Sequence, residues 1–150
     1  MHSLNLFLAF HQRKERYAIE ESTLFRKVLL VEDNELNMEI AEFLLENAGM
    51  EVTAVFNGKE AVDVFASSEE NYFDLILMDI MMPIMDGLTA TRTIRAMKRR
   101  DAKKIPIFAM TANAFLDDME ESRKAGMNEH LSKPLDESQM MSVIRRYVAN

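Results

Sequence analysis

The chain has 150 residues, with 18 Lys and Arg against 25 Asp and Glu, a formal charge of −7, and no cysteine. That length suits one domain with an extension and a real core, while the acidity opposes direct contact with nucleic acid or anionic membrane. The missing thiols exclude disulfides, zinc-thiolate sites and cysteine catalysis, and no apolar run is long enough to cross a bilayer.

Residues 1–26 begin with Leu4-Asn5-Leu6-Phe7-Leu8-Ala9-Phe10 and pass into His11-Gln12-Arg13-Lys14-Glu15-Arg16. Apolar before basic is the reverse of a secretory signal, so this stretch reads as an N-terminal extension or linker of helical pattern. From Lys27 to Asn150 the pattern is that of one domain. Val28-Leu29-Leu30-Val31 predicts a first strand that ends on Glu32-Asp33. Asn34 caps a helix in which Leu36, Ile40, Phe43, Leu44 and Ala48 recur at helical spacing until Gly49. Val52-Thr53-Ala54-Val55 is a second strand, and Asn57-Gly58 turns into a helix bearing Ala61, Val62, Val64 and Phe65.

Leu75-Ile76-Leu77-Met78 predicts a third strand buried on both faces, running out at Asp79 before a loop with Pro83 and Asp86-Gly87. Asp86 caps a helix with Ala90, Ile94 and Met97 inward; Arg92, Arg95, Lys98, Arg99 and Arg100 are expected outward as a solvated face. Ile105 to Met110 is the fourth strand, ending on Thr111, and a helix from Phe115 to Ala125 runs acidic to basic, as the helix dipole favours. Glu129-His130-Leu131-Ser132 is a short fifth strand followed by Lys133-Pro134. A last helix from about Asp136 turns Met140, Val143, Ile144 and Tyr147 inward. Five strands alternating with five helices predict a doubly wound parallel α/β domain.

In such sheets chemistry gathers at the carboxyl ends of the strands. The residues there are Glu32 and Asp33, Asp79, Thr111 and Lys133. Three converging carboxylates repel unless a cation shares the site, and a hard dication with oxygen ligands, magnesium above all, fits them. The three histidines, at 2, 11 and 130, have no metal-pair spacing. Lys133 and Thr111 beside the ion suit a phosphoryl group, and Asp79 then serves as a nucleophile forming an aspartyl-phosphate. The competing assignment for Lys133 is an ion pair with one of the carboxylates, and for Thr111 a helix cap before Asn113.

Val31-Glu32-Asp33-Asn34, Met78-Asp79 with Pro83 and Asp86-Gly87, Met110-Thr111-Ala112-Asn113 and Ser132-Lys133-Pro134 together resemble the receiver domain of two-component response regulators. The stretch from Gly126 to Pro134 is most similar to receivers fused C-terminally to hybrid sensor histidine kinases. The resemblance implies a flavodoxin-like receiver fold with strand order 2-1-3-4-5. It implies that Asp79 takes phosphate from a phosphohistidine on a histidine kinase or histidine phosphotransfer partner. It further implies magnesium held by Glu32, Asp33, Asp79 and the Met81 backbone carbonyl, phosphoryl contacts from Thr111 and Lys133, and a cis bond before Pro134. Many receivers carry an inward-turning aromatic three residues before the lysine; here it is His130, so the expected switch pair is Thr111 with His130. Moving such an equilibrium from mostly off to mostly on requires a bias of about 5 kcal/mol.

Met81, apolar two residues past the phosphoacceptor, is expected to slow hydrolytic water. An aspartate-nucleophile hydrolase is the alternative, but the second acid such enzymes use two residues on is replaced by Met81; a degenerate interaction domain is opposed by all five chemical positions being filled. Beyond magnesium-dependent self-phosphorylation and dephosphorylation no enzyme activity is expected of the chain, while its parent protein is a candidate hybrid histidine kinase. The expected setting is the cytoplasm or the cytoplasmic part of a membrane-anchored kinase, with no membrane insertion by this chain and homodimerisation left open. With no further domain after Asn150, the signal is expected to leave by protein contact, by relay, or within a larger kinase.

Overall fold

Strands buried on both faces of a parallel sheet need apolar side chains at consecutive positions. In the computed structural model, which describes residues 26–112 and 119–149, the three strongest apolar runs become β1 (Lys27–Val31), β3 (Leu75–Asp79) and β4 (Ile107–Thr111). With β2 (Glu51–Val55) and β5 (Glu129–Ser132) they form one parallel sheet in the order β2-β1-β3-β4-β5. Successive side chains point to opposite faces. Val28, Leu30, Leu75, Leu77, Phe108 and Met110 therefore build one core layer, and Leu29, Val31, Ile76, Met78, Ile107 and Ala109 the other.

The first layer is covered by α1 (Glu35–Asn47) and α6 (Glu137–Ala149), the second by α2 (Gly58–Ser67), α3 (Gly87–Arg95) and the short α4 (Arg100–Lys104). The remaining helix, α5 (Met119–Ala125), buries Ser122 and Ala125. Each of the first three helices starts on a side-chain cap: Asn34, Asn57 and Asp86 accept from the amides of Asn37, Glu60 and Thr89. Those caps satisfy amides that the helices cannot pair internally, and each contributes about 1 kcal/mol. They also fix where the helices begin, close behind β1 and β2 for the two asparagines and across a loop from β3 for Asp86.

Three expectations change. The buried stripe of α1 is Met38, Ala41 and Leu45, whereas Leu36 and Phe43 are 63% and 67% exposed. Two apolar stripes share this helix, and only one can face the sheet. Second, six helices are described instead of five, because the helix after Asp86 stops at Arg95 and α4 forms separately. Third, the basic run is a solvated face only in part: Arg92, Lys98 and Arg100 are exposed as expected, but Arg95 and Arg99 turn inward. The Arg95 guanidinium donates to the carbonyls of Gly126 and Ala102 at 2.8 and 3.1 Å and to Asn128 Oδ1 at 3.0 Å. Arg99 Nε lies 2.7 Å from Asp101 Oδ1, and its other nitrogens reach the carbonyls of Phe65, Ser68 and Glu69. Five fixed donors on one planar cation suit the loose carbonyls at helix ends, which a periodicity argument does not register. The expected helix begins at Phe115, but residues 113–118 and the extension 1–25 lie outside the described residues. Among the described residues no helix is long and apolar enough to cross a membrane.

Asp101 is the buried half of the Arg99 pair, with its side chain 5% exposed, and it also accepts from the Asn71 amide at 2.8 Å. The Arg99 hydrogen bond holds its pKa below the ordinary 3.8, against the opposing effect of burial. Above that value its stabilisation is fully present; as pH falls through the depressed native pKa the unfolded chain takes the proton first and the contribution is lost. Asp101→Ala is expected to remove about 3 kcal/mol from the unfolding free energy at neutral pH. Urea denaturation should also show a smaller loss of stability on acidification below about pH 4 than in wild type.

Candidate functional site

Because all five strands are parallel, their carboxyl ends share one rim. The register sets what meets there: Val31 pairs with Met78, Asp79 with Met110, and Thr111 with Ser132. Glu32 and Asp33 follow β1, Asp79 ends β3, Thr111 ends β4, and Lys133 follows β5. One carboxylate oxygen from each of Glu32, Asp33 and Asp79 lies within 4.8 Å of the others. Glu32 and Asp79 are buried, at 1% and 3% exposure, and Asp33 is exposed.

The Lys133 ammonium bridges the two buried acids. Its Nζ stands 3.0 Å from both Glu32 oxygens and 2.9 Å from Asp79 Oδ2. Burial works against that ammonium, yet its hydrogen bonds to Asp79 and Glu32 outweigh the burial and hold its pKa above the usual lysine range. One cation does not neutralise two acids. Burial first, and Glu32 second, push Asp79 up to about 6 despite the opposing pull of Lys133. Desolvation and then Asp79 raise Asp33 as well.

The neighbouring groups are fixed by backbone contacts. The Lys133 amide donates to the Thr111 carbonyl at 2.9 Å, and Thr111 is buried. The peptide bond between Lys133 and Pro134 is cis. His130 lies within β5, paired with Ala109 and half-buried. It is thus two residues back from the rim, not at it. The ion pair that was the competing assignment for Lys133 is present, but it involves both buried acids together. Asn113, the helix position in the competing assignment for Thr111, falls outside the described residues.

The segment from Ile80 to Gly87 folds back against the end of β3. Gly87 donates to the Ile80 carbonyl at 2.9 Å, and a Cβ there would collide with the Asp79 carbonyl oxygen. Gly58, at the start of α2, donates to the Met85 carbonyl at 3.1 Å. Between these anchors the Met85 amide reaches the Pro83 carbonyl at 2.7 Å, closing a γ-turn with Ile84 at φ 68°. This is the rare, strained form of that turn. For a β-branched residue it costs about 1–3 kcal/mol. Ile84 is nonetheless 78% exposed and Met81 76% exposed. Sequence reading did not single out Ile84, since the sign of a backbone angle leaves no mark in residue order; the only signal was an apolar residue in a short Pro to Gly loop.

Removing the bridging cation isolates the effect of the acidic cluster. Lys133→Met leaves Glu32 and Asp79 buried against each other, and a loss of about 3 kcal/mol in unfolding free energy is expected in magnesium-free buffer. Urea unfolding of the variant beside wild type measures it.

Comparison with known proteins supplies the family. The response regulator receiver domain family matches residues 28–145. Over 149 residues, 95% of this chain, the sequence is 34% identical to the hybrid signal transduction histidine kinase L of Dictyostelium discoideum. The chain spans only 9%, 13% and 7% of the lengths of three curated relatives that it matches. The receiver domain of sensor histidine kinase PA1611 from Pseudomonas aeruginosa PAO1 was crystallised with a magnesium ion coordinated in its active site cleft. It superposes with a TM-score of 0.74 at 38% identity, over 83% of this chain and 98% of that one. The receiver domain of the response regulator Ssk1 from Saccharomyces cerevisiae, co-crystallised with the histidine phosphotransfer protein Ypd1, is among the matches to that complex. That match gives 0.72 at 25% identity, over 84% and 90% of the two chains. A five-stranded sheet in this order, an acidic cluster with a lysine on its rim and a family match over most of the chain lead to one conclusion: the protein belongs to the response regulator receiver domain family of two-component and phosphorelay signalling.

Proposed function

We propose that Asp79 is the phosphoacceptor, taking a phosphoryl group from a phosphohistidine on a histidine kinase or histidine phosphotransfer protein. The observation that carries this is the Lys133 ammonium 2.9 Å from Asp79 Oδ2 at the place where three carboxylates converge. An oxygen of Asp79 attacks phosphorus, the phosphorus to nitrogen bond breaks, and the imidazole leaves with its electron pair to be protonated by solvent. Lys133 offers a fixed positive charge to a phosphoryl oxygen, and Thr111, at the end of the adjacent strand, offers a hydroxyl.

The donor set fits a hard dication. Three carboxylates with oxygens within 4.8 Å, one on an exposed residue, suit magnesium, which takes one or two carboxylates directly, keeps several waters and leaves room for a phosphoryl oxygen. Glu32, Asp33, Asp79 and the Met81 backbone carbonyl are the residues assigned to it. When bound, the ion would offset the carboxylate repulsion and withdraw charge from the phosphoryl oxygens.

Phosphorylation of Asp79 adds a dianion beside Thr111. The proposed response is a shift of Thr111 toward it, with a rearrangement around His130 that changes the surface near β5. The chain alone turns over nothing beyond its own phosphorylation and dephosphorylation. Its setting is the cytoplasm, free or as part of a larger histidine kinase.

Wild type, Asp79→Asn and Lys133→Ala treated with acetyl phosphate, with and without magnesium, provide the test by intact mass. Wild type is expected to gain one phosphoryl group only with magnesium, Asp79→Asn none, and Lys133→Ala far less than wild type. Modification of Asp79→Asn at the same peptide refutes the assignment. Magnesium at a hundred times its dissociation constant is also expected to stabilise wild type by about 2.7 kcal/mol and Asp79→Asn by clearly less. Thermal melting reads that difference.

A further inference from the structure

Apolar side chains are conspicuous along the rim that carries the acidic cluster. Leu36 lies in the first turn of α1, Phe56 directly follows β2, and Met81 and Ile84 lie in the loop after β3; all are exposed. Ile84 stands apart because it is both the most exposed of the large apolar residues among the described residues, at 78%, and held at φ 68°. Glycine or asparagine adopts that angle readily, and a β-branched residue does so worst of all. A strained backbone persists where its surroundings over-determine it, and such places collect at ligand clamps. Here the anchors are the Gly58 and Gly87 amides, on the Met85 and Ile80 carbonyls. The chain thus holds an isoleucine in an unfavourable turn and exposes it to solvent, on the loop whose Gly87 end closes against Asp79.

We propose that Ile84 is an apolar docking knob for a protein phosphodonor, seated in a hollow beside the donor's phosphohistidine, with Met81 flanking it. The inference rests on Asp79 being the phosphoacceptor. The occupant follows from the chemistry: the donor's imidazole must come within bonding distance of Asp79, so the surface around that histidine lies against this loop. A chain of net charge −7 offers no excess of positive charge to hold a donor protein, and the most exposed side chains of this loop are apolar, so apolar contact is what the loop supplies. A small donor has no surface to meet the knob. Ile84 therefore raises the rate for protein donors alone.

The test compares two donors of identical bond chemistry, phosphoimidazole and phosphorylated Ypd1, on wild type, Ile84→Gly, Ile84→Asn and Ile84→Leu in magnesium buffer. Glycine and asparagine tolerate the angle, so both variants are expected to melt no lower than wild type. Phosphoimidazole is expected to modify all four proteins at the same rate. Phospho-Ypd1 is expected to react with wild type faster than phosphoimidazole does, about tenfold more slowly with the Gly and Asn variants, and near the wild-type rate with the Leu variant. Equal slowing with both donors makes Ile84 a support of the loop and overturns the proposal, as does no slowing with either. Wild type that accepts from phosphoimidazole but no faster from phospho-Ypd1 overturns it too. No modification by phosphoimidazole refutes the Asp79 assignment first, and the docking knob with it.

Discussion

One ammonium group ties the functional rim together. Lys133 follows the last strand of the sheet, Glu32 follows β1 and Asp79 ends β3, so the three-way contact joins ends that the sheet only brings near one another. It is also deliberately incomplete. A single positive charge against two buried carboxylates, with a third at the mouth, leaves Asp79 reluctant to ionise. Removing the excess by a neutral substitution would make a calmer protein with less to attract a dication. The destabilised rim is the feature from which the chemistry follows.

That rim stands on a scaffold held by quite different means. The two apolar layers contain fully buried residues from every central strand. Away from the acidic cluster, Arg95 and Arg99 serve as polar struts, each satisfying several carbonyls from other segments. Arg95 links the end of α3 to the turn after α5, and Arg99 links the segment before α4 to the end of α2. Hydrogen bonds from a guanidinium to neutral carbonyls add no buried like charge, so they stiffen the scaffold without the repulsion present at the rim.

The loop after β3 joins the two regimes. Gly87 lets the backbone close against Asp79, and Gly58 secures the far side, so the turn between them tolerates an angle that its isoleucine disfavours. For the proposed docking, a tip held in one shape by both glycines differs from a flexible loop in needing no ordering on contact. Little conformational entropy then remains to be lost on docking.

Residue order alone determined a good deal here, because much of it depends on local rules. Apolar runs of four, asparagine and aspartate caps and turn glycines place the five strands and the starts of α1, α2, α3 and α6 to within one or two residues, while α4 left no separate signal. The acidic residues, threonine and lysine could be assigned to one rim because parallel topology leaves their strand ends no other place to go. What lies between elements was out of reach. Whether Leu36 and Phe43 or Met38 and Leu45 face the sheet depends on how α1 is rotated against residues elsewhere in the chain. The inward path of Arg95 and Arg99 depends on carbonyls about thirty positions away. The angle at Ile84 is imposed by neighbours on both sides, and the pairing of Lys133 with both acids depends on the distance between three strand ends. These are long-range steric and electrostatic outcomes, which only the folded chain decides.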